Sequence, residues 1–122
     1  MNFRKFTTSN GKEVLCGKSA ENNEELIKQI EEENIVLHTA KPGSPFCEIK
    51  AKGEKIEKKD IEEAAVICAK YSQDWRDNKK DVLIHIFKGR DIFKKGEMKL
   101  GTFGVKKVRE IKVKKEEIEK FI

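Results

Sequence analysis

Several residue types that mark specialised protein classes are scarce in this sequence. Its 122 residues include two prolines, one tryptophan, one tyrosine and two histidines. The longest nearly apolar run, Val82–Phe87, spans six residues, whereas a membrane-spanning helix needs about 20. The basic and polar start of the chain also lacks the apolar segment of a signal peptide. These absences predict a cytoplasmic protein of about one domain, with no membrane span.

The cysteines are few and irregularly spaced. Cys16, Cys47 and Cys68 are odd in number and lack the Cys-x-x-Cys spacing of a zinc ribbon. A disulfide scaffold is therefore not expected. We interpret the three residues as buried thiols in a reducing compartment, and we expect no metal site and no cofactor.

Charged residues, by contrast, are abundant and unevenly distributed. They make up 40% of the chain, against roughly 25% in an average soluble protein. Residues 1–87 carry 15 Lys or Arg and 16 Asp or Glu, whereas residues 88–115 carry 11 and three. Nearly all of the net charge of +5 thus originates in one stretch. Such a cluster indicates contact with nucleic-acid phosphates, although a solvated basic surface would give the same count.

Hydrophobic periodicity and turn signals predict alternating strands and helices. A hairpin is expected around Asn10-Gly11, and a second helix should begin at Asp60, which forms a capping box with Glu63. The predicted strands are Phe3–Thr8, Glu13–Cys16, Ile35–His38, Phe46–Ala51, Val82–Lys88, Asp91–Phe93, Thr102–Lys107 and Arg109–Lys114. The predicted helices run from Ser19, Asn22 or Asn23 to Glu33, from Asp60 to Trp75, and over residues 115–121.

These elements predict an α+β fold, in which two main helices pack on a mostly antiparallel sheet within a single domain, residues 1–122. Val82–Lys88 is apolar on both faces apart from His85 and should be a central strand. Arg109–Lys114 alternates between apolar and polar residues and should be half exposed. The basic stretch therefore falls on strands and turns, so it should form a structured surface.

His38 and the turn that follows it are a candidate binding site. His38 ends a strand just before Gly43-Ser44, and free amides in such a turn can bind an anion. An ordinary hairpin turn explains the same residues. Tyr71 and Trp75 could stack on bases, but their helical spacing favours core packing. His85, inside an apolar strand, is interpreted as a core or edge histidine.

An enzyme is not expected. The patterns His-Glu-x-x-His, Gly-x-Ser-x-Gly and Gly-x-Gly-x-x-Gly are absent. Neither histidine has a carboxylate or cysteine at metal-ligand spacing, and the paired carboxylates lie in Glu runs typical of solvated helix faces. A hydrolase or nuclease that uses His38 is the weakest of the hypotheses left open.

Short motifs follow one another in a characteristic order along almost the whole chain. They are Phe3–Gly11, Gly17, Asn22–Leu26, Leu37–Thr39, Pro42–Phe46, Ile49-Lys50, Glu63–Ala65, Tyr71-Ser72, Trp75, Lys94–Met98 and Gly101–Phe103. In this order and spacing they resemble the NFACT-R domain, the predicted RNA-binding module of the NFACT proteins of ribosome quality control. The sequence departs from that family at Lys107–Glu110, which replaces its last turn but keeps the basic charge.

The resemblance implies a stand-alone RNA-binding module that contacts tRNA, rRNA or the ribosome and has no catalysis of its own. The alternative is a protein-interaction adaptor that docks a translation partner through the acidic first helix or an edge strand. The expected RNA contacts combine the late basic cluster with the turn beside His38. They are Lys94, Lys95, Lys99, Lys106, Lys107, Arg109, Lys50, Lys41, Arg4, His38, Gly43 and Ser44.

Overall fold

The computed structural model of the protein describes residues 2–100 and 103–121. Turn and helix signals in the sequence divide these residues into strands β1–β8 and helices α1–α4. In chain order the elements are β1 (Arg4–Thr7), β2 (Glu13–Cys16), α1 (Ala20–Lys28), β3 (Ile35–Thr39), β4 (Cys47–Ile49), α2 (Lys58–Lys70), α3 (Gln73–Asn78), β5 (Val82–Lys88), β6 (Ile92–Phe93), β7 (Gly104–Val105), β8 (Arg109–Val113) and α4 (Lys115–Lys120).

The described strands form a six-stranded sheet in the order β1-β2-β4-β3-β5-β8 and a separate two-stranded ribbon, β6-β7. Every pairing in both is antiparallel. The predicted α+β fold with a mostly antiparallel sheet is thus confirmed. β5 lies between β3 and β8, as its apolar sequence predicts, but Leu83 on one of its faces is 40% exposed.

The two faces of the sheet are covered differently. One face packs its Val, Leu and Ile side chains against α2, Trp75 of α3 and Ile118 of α4. The other face packs Leu15, Val36 and Phe87 against α1 and the β6-β7 ribbon. Because side chains alternate along a strand, His38 and His85 point to this second face, where coverage by α1 stops.

The first hairpin forms as predicted. β1 and β2 pair from Arg4 opposite Cys16 to Thr7 opposite Glu13. Gly11 has a φ of +85°, a conformation in which a side chain would be strained. The turn residue therefore fixes the register of the sheet edge.

Several helix boundaries differ from the prediction, although α1 begins at one of the predicted caps. α1 begins after Ser19, whose hydroxyl accepts from the Asn22 amide at 3.1 Å. It ends at Lys28 rather than at Glu33, because glutamates 31–33 would lie at the negative end of the helix dipole. α2 begins at Lys58, with the capping box between Glu57 and Asp60, and ends at Lys70 because Ser72 caps a separate helix, α3.

The prediction of three buried thiols is wrong for two of the cysteines. Cys16 and Cys47 are 31 residues apart in sequence but face each other across β2 and β4, where they form a disulfide. Spacing along the chain could not reveal this pairing, because it depends on β4 folding back to pair with β2 of the first hairpin. Cys68 is free, and burial raises the pKa of its thiol to about 12.

Gly101 and Thr102 lie outside the described residues, and with them the start of the strand predicted at Thr102–Lys107. The described part of that segment forms only Gly104–Val105, which pairs with Ile92–Phe93. We call residues 92–100 and 103–108 the arm. It crosses the second face of the sheet next to α1.

Candidate nucleic-acid interface

A cleft of about 830 Å³ opens on the second face of the sheet. His38 of β3 and His85 and Phe87 of β5 line it. β3 and β5 pair with His38 directly opposite His85, so the strand register brings the two histidines together. We refer to this opening as the cleft.

Four segments distant in sequence surround the histidines. Residues 17–20 lead into α1, and residues 39–46 run from the end of β3 to β4. Residues 71–76 come from the end of α2 and from α3, and the arm supplies Leu100, Phe103, Val105 and Val108. Leu100 and Val108 are 54% and 53% exposed. The cleft therefore has apolar side chains open to solvent on its arm side.

The charged side chains that line the cleft in the described chain are all basic. Arg4, Lys18 and Arg76 line it together with the two histidines, and none of its lining residues within the described chain is Asp or Glu. Arg76 pairs with the neighbouring Asp77 at 2.9 Å. Lys18 has no ion pair to any described carboxylate, and Arg4 donates to the Gly17 carbonyl at 3.4 Å. The resulting field favours an anionic ligand.

His38 is bonded to the loop, and its burial favours the neutral form of the ring. Burial lowers its pKa, and the nearby His85 acts in the same direction, while hydrogen bonds to the backbone of Thr39 and Ser44 offset part of this effect. Its Nδ1 lies 2.8 Å from the Thr39 carbonyl oxygen; since a carbonyl only accepts, Nδ1 donates. Its ring also packs on Phe46 at a centroid distance of 4.4 Å. His38 thus contributes shape to the cleft without a fixed charge.

His85 has a different partner. Its Nε2 lies 2.9 Å from Glu110 Oε2, across the β5–β8 pairing. The interpretation of His85 as a core or edge histidine therefore misses its place in the cleft. The signal available in the sequence was its strand position, which alternates with the core residues Ile84 and Ile86.

Gly43 and Ser44 shape the loop above His38. Gly43 has a φ of +88°, its carbonyl accepts from the Gln73 amide at 2.8 Å, and the Gln73 side chain occupies the space that a Cβ would need. The Ser44 hydroxyl accepts from the Thr39 amide at 3.0 Å. Both residues thereby fix the rim of the cleft against α3.

Arg4 and Tyr71 form a stacked pair at one end of the cleft. The Arg4 guanidinium lies 4.3 Å from the centre of the Tyr71 ring, and Tyr71 is 39% exposed. The expectation of core packing is confirmed for the buried Trp75 but wrong for Tyr71. Tyr71 leaves the helical repeat because it caps the end of α2.

The structure brings together Arg4, His38, Gly43 and Ser44 from the sequence-predicted set, all of which line the cleft. The remaining members lie outside its lining. Lys41 pairs with Asp74 at 3.6 Å, and Lys50 pairs with the buried Glu48 at 3.4 Å. Sequence reasoning did not single out Lys18, Arg76 or the apolar arm residues, because no local motif marks them.

The late basic residues project from the arm and β8. Lys94 bonds to Glu24 at 2.7 Å and lies 4.6 Å from the centre of the Phe103 ring. Lys99 is exposed, and its carbonyl accepts from Lys94. The others are exposed and make no ion pair with a described carboxylate: Lys95, Lys106, Lys107 and Arg109.

The described residues contain neither a metal-ligand cluster nor a membrane-spanning helix. No three His, Cys, Asp or Glu residues among them are grouped so that they could hold a metal ion. None of the described helices combines the length and the apolar character that crossing a membrane requires.

The chain is similar to proteins of one family. The family model for the NFACT protein RNA binding domain matches residues 2–107. The archaeal Rqc2 homolog aRqcH of Methanocaldococcus jannaschii is 36% identical over 73 residues, which are 59% of this chain and 11% of that protein. The chain thus spans about a tenth of the length of this relative.

A solved structure shares the fold. The C-terminal part of the fibronectin/fibrinogen-binding protein from Streptococcus suis has a TM-score of 0.83 to this chain at 15% identity, over 98% of this chain and 48% of that one. Since the family model covers most of the sequence, this chain belongs to the family of the NFACT protein RNA binding domain.

Proposed function

We propose that this chain is an RNA-binding module that contacts tRNA, rRNA or the ribosome through the cleft and the basic residues beside it. One observation carries the proposal: the chain has 22 Asp and Glu residues, yet none lines the cleft within the described residues, whereas Arg4, Lys18 and Arg76 do. Phosphates repel carboxylates and attract such cations. Membership of an RNA-binding family supports the same conclusion.

The arm extends this surface beyond the cleft. Phe103, Val105 and Val108 turn into the cleft, while Lys106 and Lys107 between them are exposed. We propose that these lysines, with Lys94, Lys95 and Lys99, contact phosphates on either side of the nucleotides that reach the cleft. Arg109 is left out of this surface, because it lies opposite Ile86 on the face of the sheet that packs against α2. His38, Gly43 and Ser44 would then shape the pocket without carrying charge.

We propose that the module binds without catalysis. Burial lowers the pKa of His38, whose ring bonds to a backbone carbonyl and has no hydrogen bond or ion pair to a described carboxylate. His85 has a carboxylate partner in Glu110, but no serine or threonine hydroxyl and no cysteine thiol is bonded to it among the described residues. The arrangement therefore favours binding over a nucleophilic or metal-assisted reaction.

The archaeal relative is named as an Rqc2 homolog. On that basis we propose a role in ribosome-associated quality control, and hence a location in the cytoplasm. Because this chain spans 11% of that relative, only the binding step is proposed for it.

The test is a titration of a labelled RNA hairpin at several salt concentrations with three charge-reversal variants. Lys18→Glu changes the cleft, Lys107→Glu changes the arm, and Lys59→Glu, an exposed lysine at the start of α2, is the matched control. If six phosphates are contacted, log K should fall with log salt at a slope of about −4 to −5. The first two variants should weaken binding and flatten the slope, whereas the control should do neither.

RNA affinity that does not change with salt concentration, or an equal loss of affinity in all three variants, would contradict the proposal. Capture of cellular partners with and without nuclease separates it from the adaptor hypothesis. RNA binding predicts that partners are lost after nuclease treatment, and partners that survive it would favour an adaptor.

A further inference from the structure

We infer that the cleft binds an unpaired nucleotide of RNA, whose base lies against the apolar and aromatic walls and whose phosphates lie on Arg4 and Lys18. This inference rests on the proposed RNA-binding function and adds to it a class of substrate, single-stranded or looped RNA.

The apolar wall is the first reason. A surface that contacts phosphates alone needs cations and backbone amides, yet Leu100 and Val108 line the cleft and are more than half exposed. Neighbouring apolar side chains left open to water mark binding sites more often than isolated ones do. A nucleobase has the flat, weakly polar face that such a wall fits.

The aromatic groups are the second reason. Phe103 packs edge-on against Phe46 at a centroid distance of 5.4 Å, which fixes the orientation of its ring in the cleft wall. At the other end, Tyr71 is partly exposed and already stacked with the Arg4 guanidinium. Aromatic rings and guanidinium planes are the surfaces on which proteins stack unpaired bases.

The size and charge of the cleft favour the same ligand. About 830 Å³ is within the range of sites that enclose small organic molecules, roughly 300–1,000 Å³, and is far larger than one phosphate requires. A duplex keeps its bases stacked inside and presents mainly phosphates and sugars, so it cannot fill such a cleft. An apolar peptide would fit the wall, but it would leave Arg4 and Lys18 without anionic partners.

The test compares three RNAs of equal length: a single strand, the blunt duplex of the same sequence, and the single strand with abasic residues at its centre. Binding is measured by fluorescence anisotropy for the wild type and for the double variant Leu100→Ala/Val108→Ala. Leu83→Ala is the matched control, because Leu83 is an exposed leucine on the same sheet face that does not line the cleft.

We expect the wild type to bind the single strand about tenfold tighter than the duplex or the abasic strand, as loss of one stacked base would give. The double variant should lose most of this preference, and Leu83→Ala should keep it. Equal binding of all three RNAs, with no effect of the double variant, would overturn the inference while leaving the proposed function intact. No binding to any RNA at low salt would overturn both.

Discussion

Asp60 is a fully buried carboxylate in the first turn of α2. The pattern Asp60-x-x-Glu63 predicts that Asp60 caps α2, but the cap is Glu57 and Asp60 occupies the third helical position. Asp60 accepts from the Thr8 hydroxyl at 2.6 Å and from the Glu57 amide at 2.9 Å. Burial alone would raise the pKa of Asp60, but these hydrogen bonds and the charge of Lys12 lower it below 3.8.

We predict that Asp60→Asn costs about 1–3 kcal/mol of unfolding free energy at pH 7, because buried charge-assisted hydrogen bonds are lost. Since the pKa is lower in the folded state than the unfolded value of 3.8, the stabilisation is present above pH 3.8 and is lost as the pH falls through the folded pKa. Chemical denaturation between pH 5 and pH 2 should therefore show the wild type approaching the variant. A difference that does not change with pH would contradict this assignment.

At the scale of elements, local signals identified most strands and helices but not their partners. Asn10-Gly11 and the Ser19 cap are turn and cap signals that act over a few residues, and both are found in the structure. The break between α2 and α3 was missed because the apolar spacing continues through Ser72, whose hydroxyl starts the next helix. The pairing of Cys16 with Cys47 was missed because it depends on strand order.

The loop between β3 and β4 offers an element-scale prediction. Gly43→Ala and Gly53→Ala both place a side chain at a positive φ, +88° and +78°, so each should cost about 1 kcal/mol. Only at Gly43 would the new Cβ displace Gln73, which lines the cleft; nothing lies within 4 Å of it at Gly53.

We therefore expect similar losses of stability in the two variants by thermal denaturation, but weaker binding of the RNA hairpin only in Gly43→Ala. Equal effects of both variants on RNA binding would show that the rim of the cleft does not contribute.

At the scale of the whole molecule, the cleft depends on the order of the strands. Arg4, Lys18, His38 and Arg76 are far apart in sequence, and the pairing of β2 with β4 and of β3 with β5 brings their segments to one face. Charge counts along the chain located the basic stretch but could not show that its lysines project outward while Leu100, Phe103 and Val108 line the cleft. Turn chemistry and the family resemblance pointed to His38, Gly43 and Ser44, and tertiary structure was needed to add Lys18 and the apolar residues of the arm.

The most direct test of RNA binding in the cleft is photo-crosslinking of a single-stranded RNA that contains 4-thiouridine, followed by mass spectrometry of the linked peptides. The account predicts crosslinks within residues 17–20, 38–46, 71–76, and 100 with 103–108, the segments that line the cleft. Crosslinks confined to the outer surface of α2, with these four segments unlabelled, would contradict it.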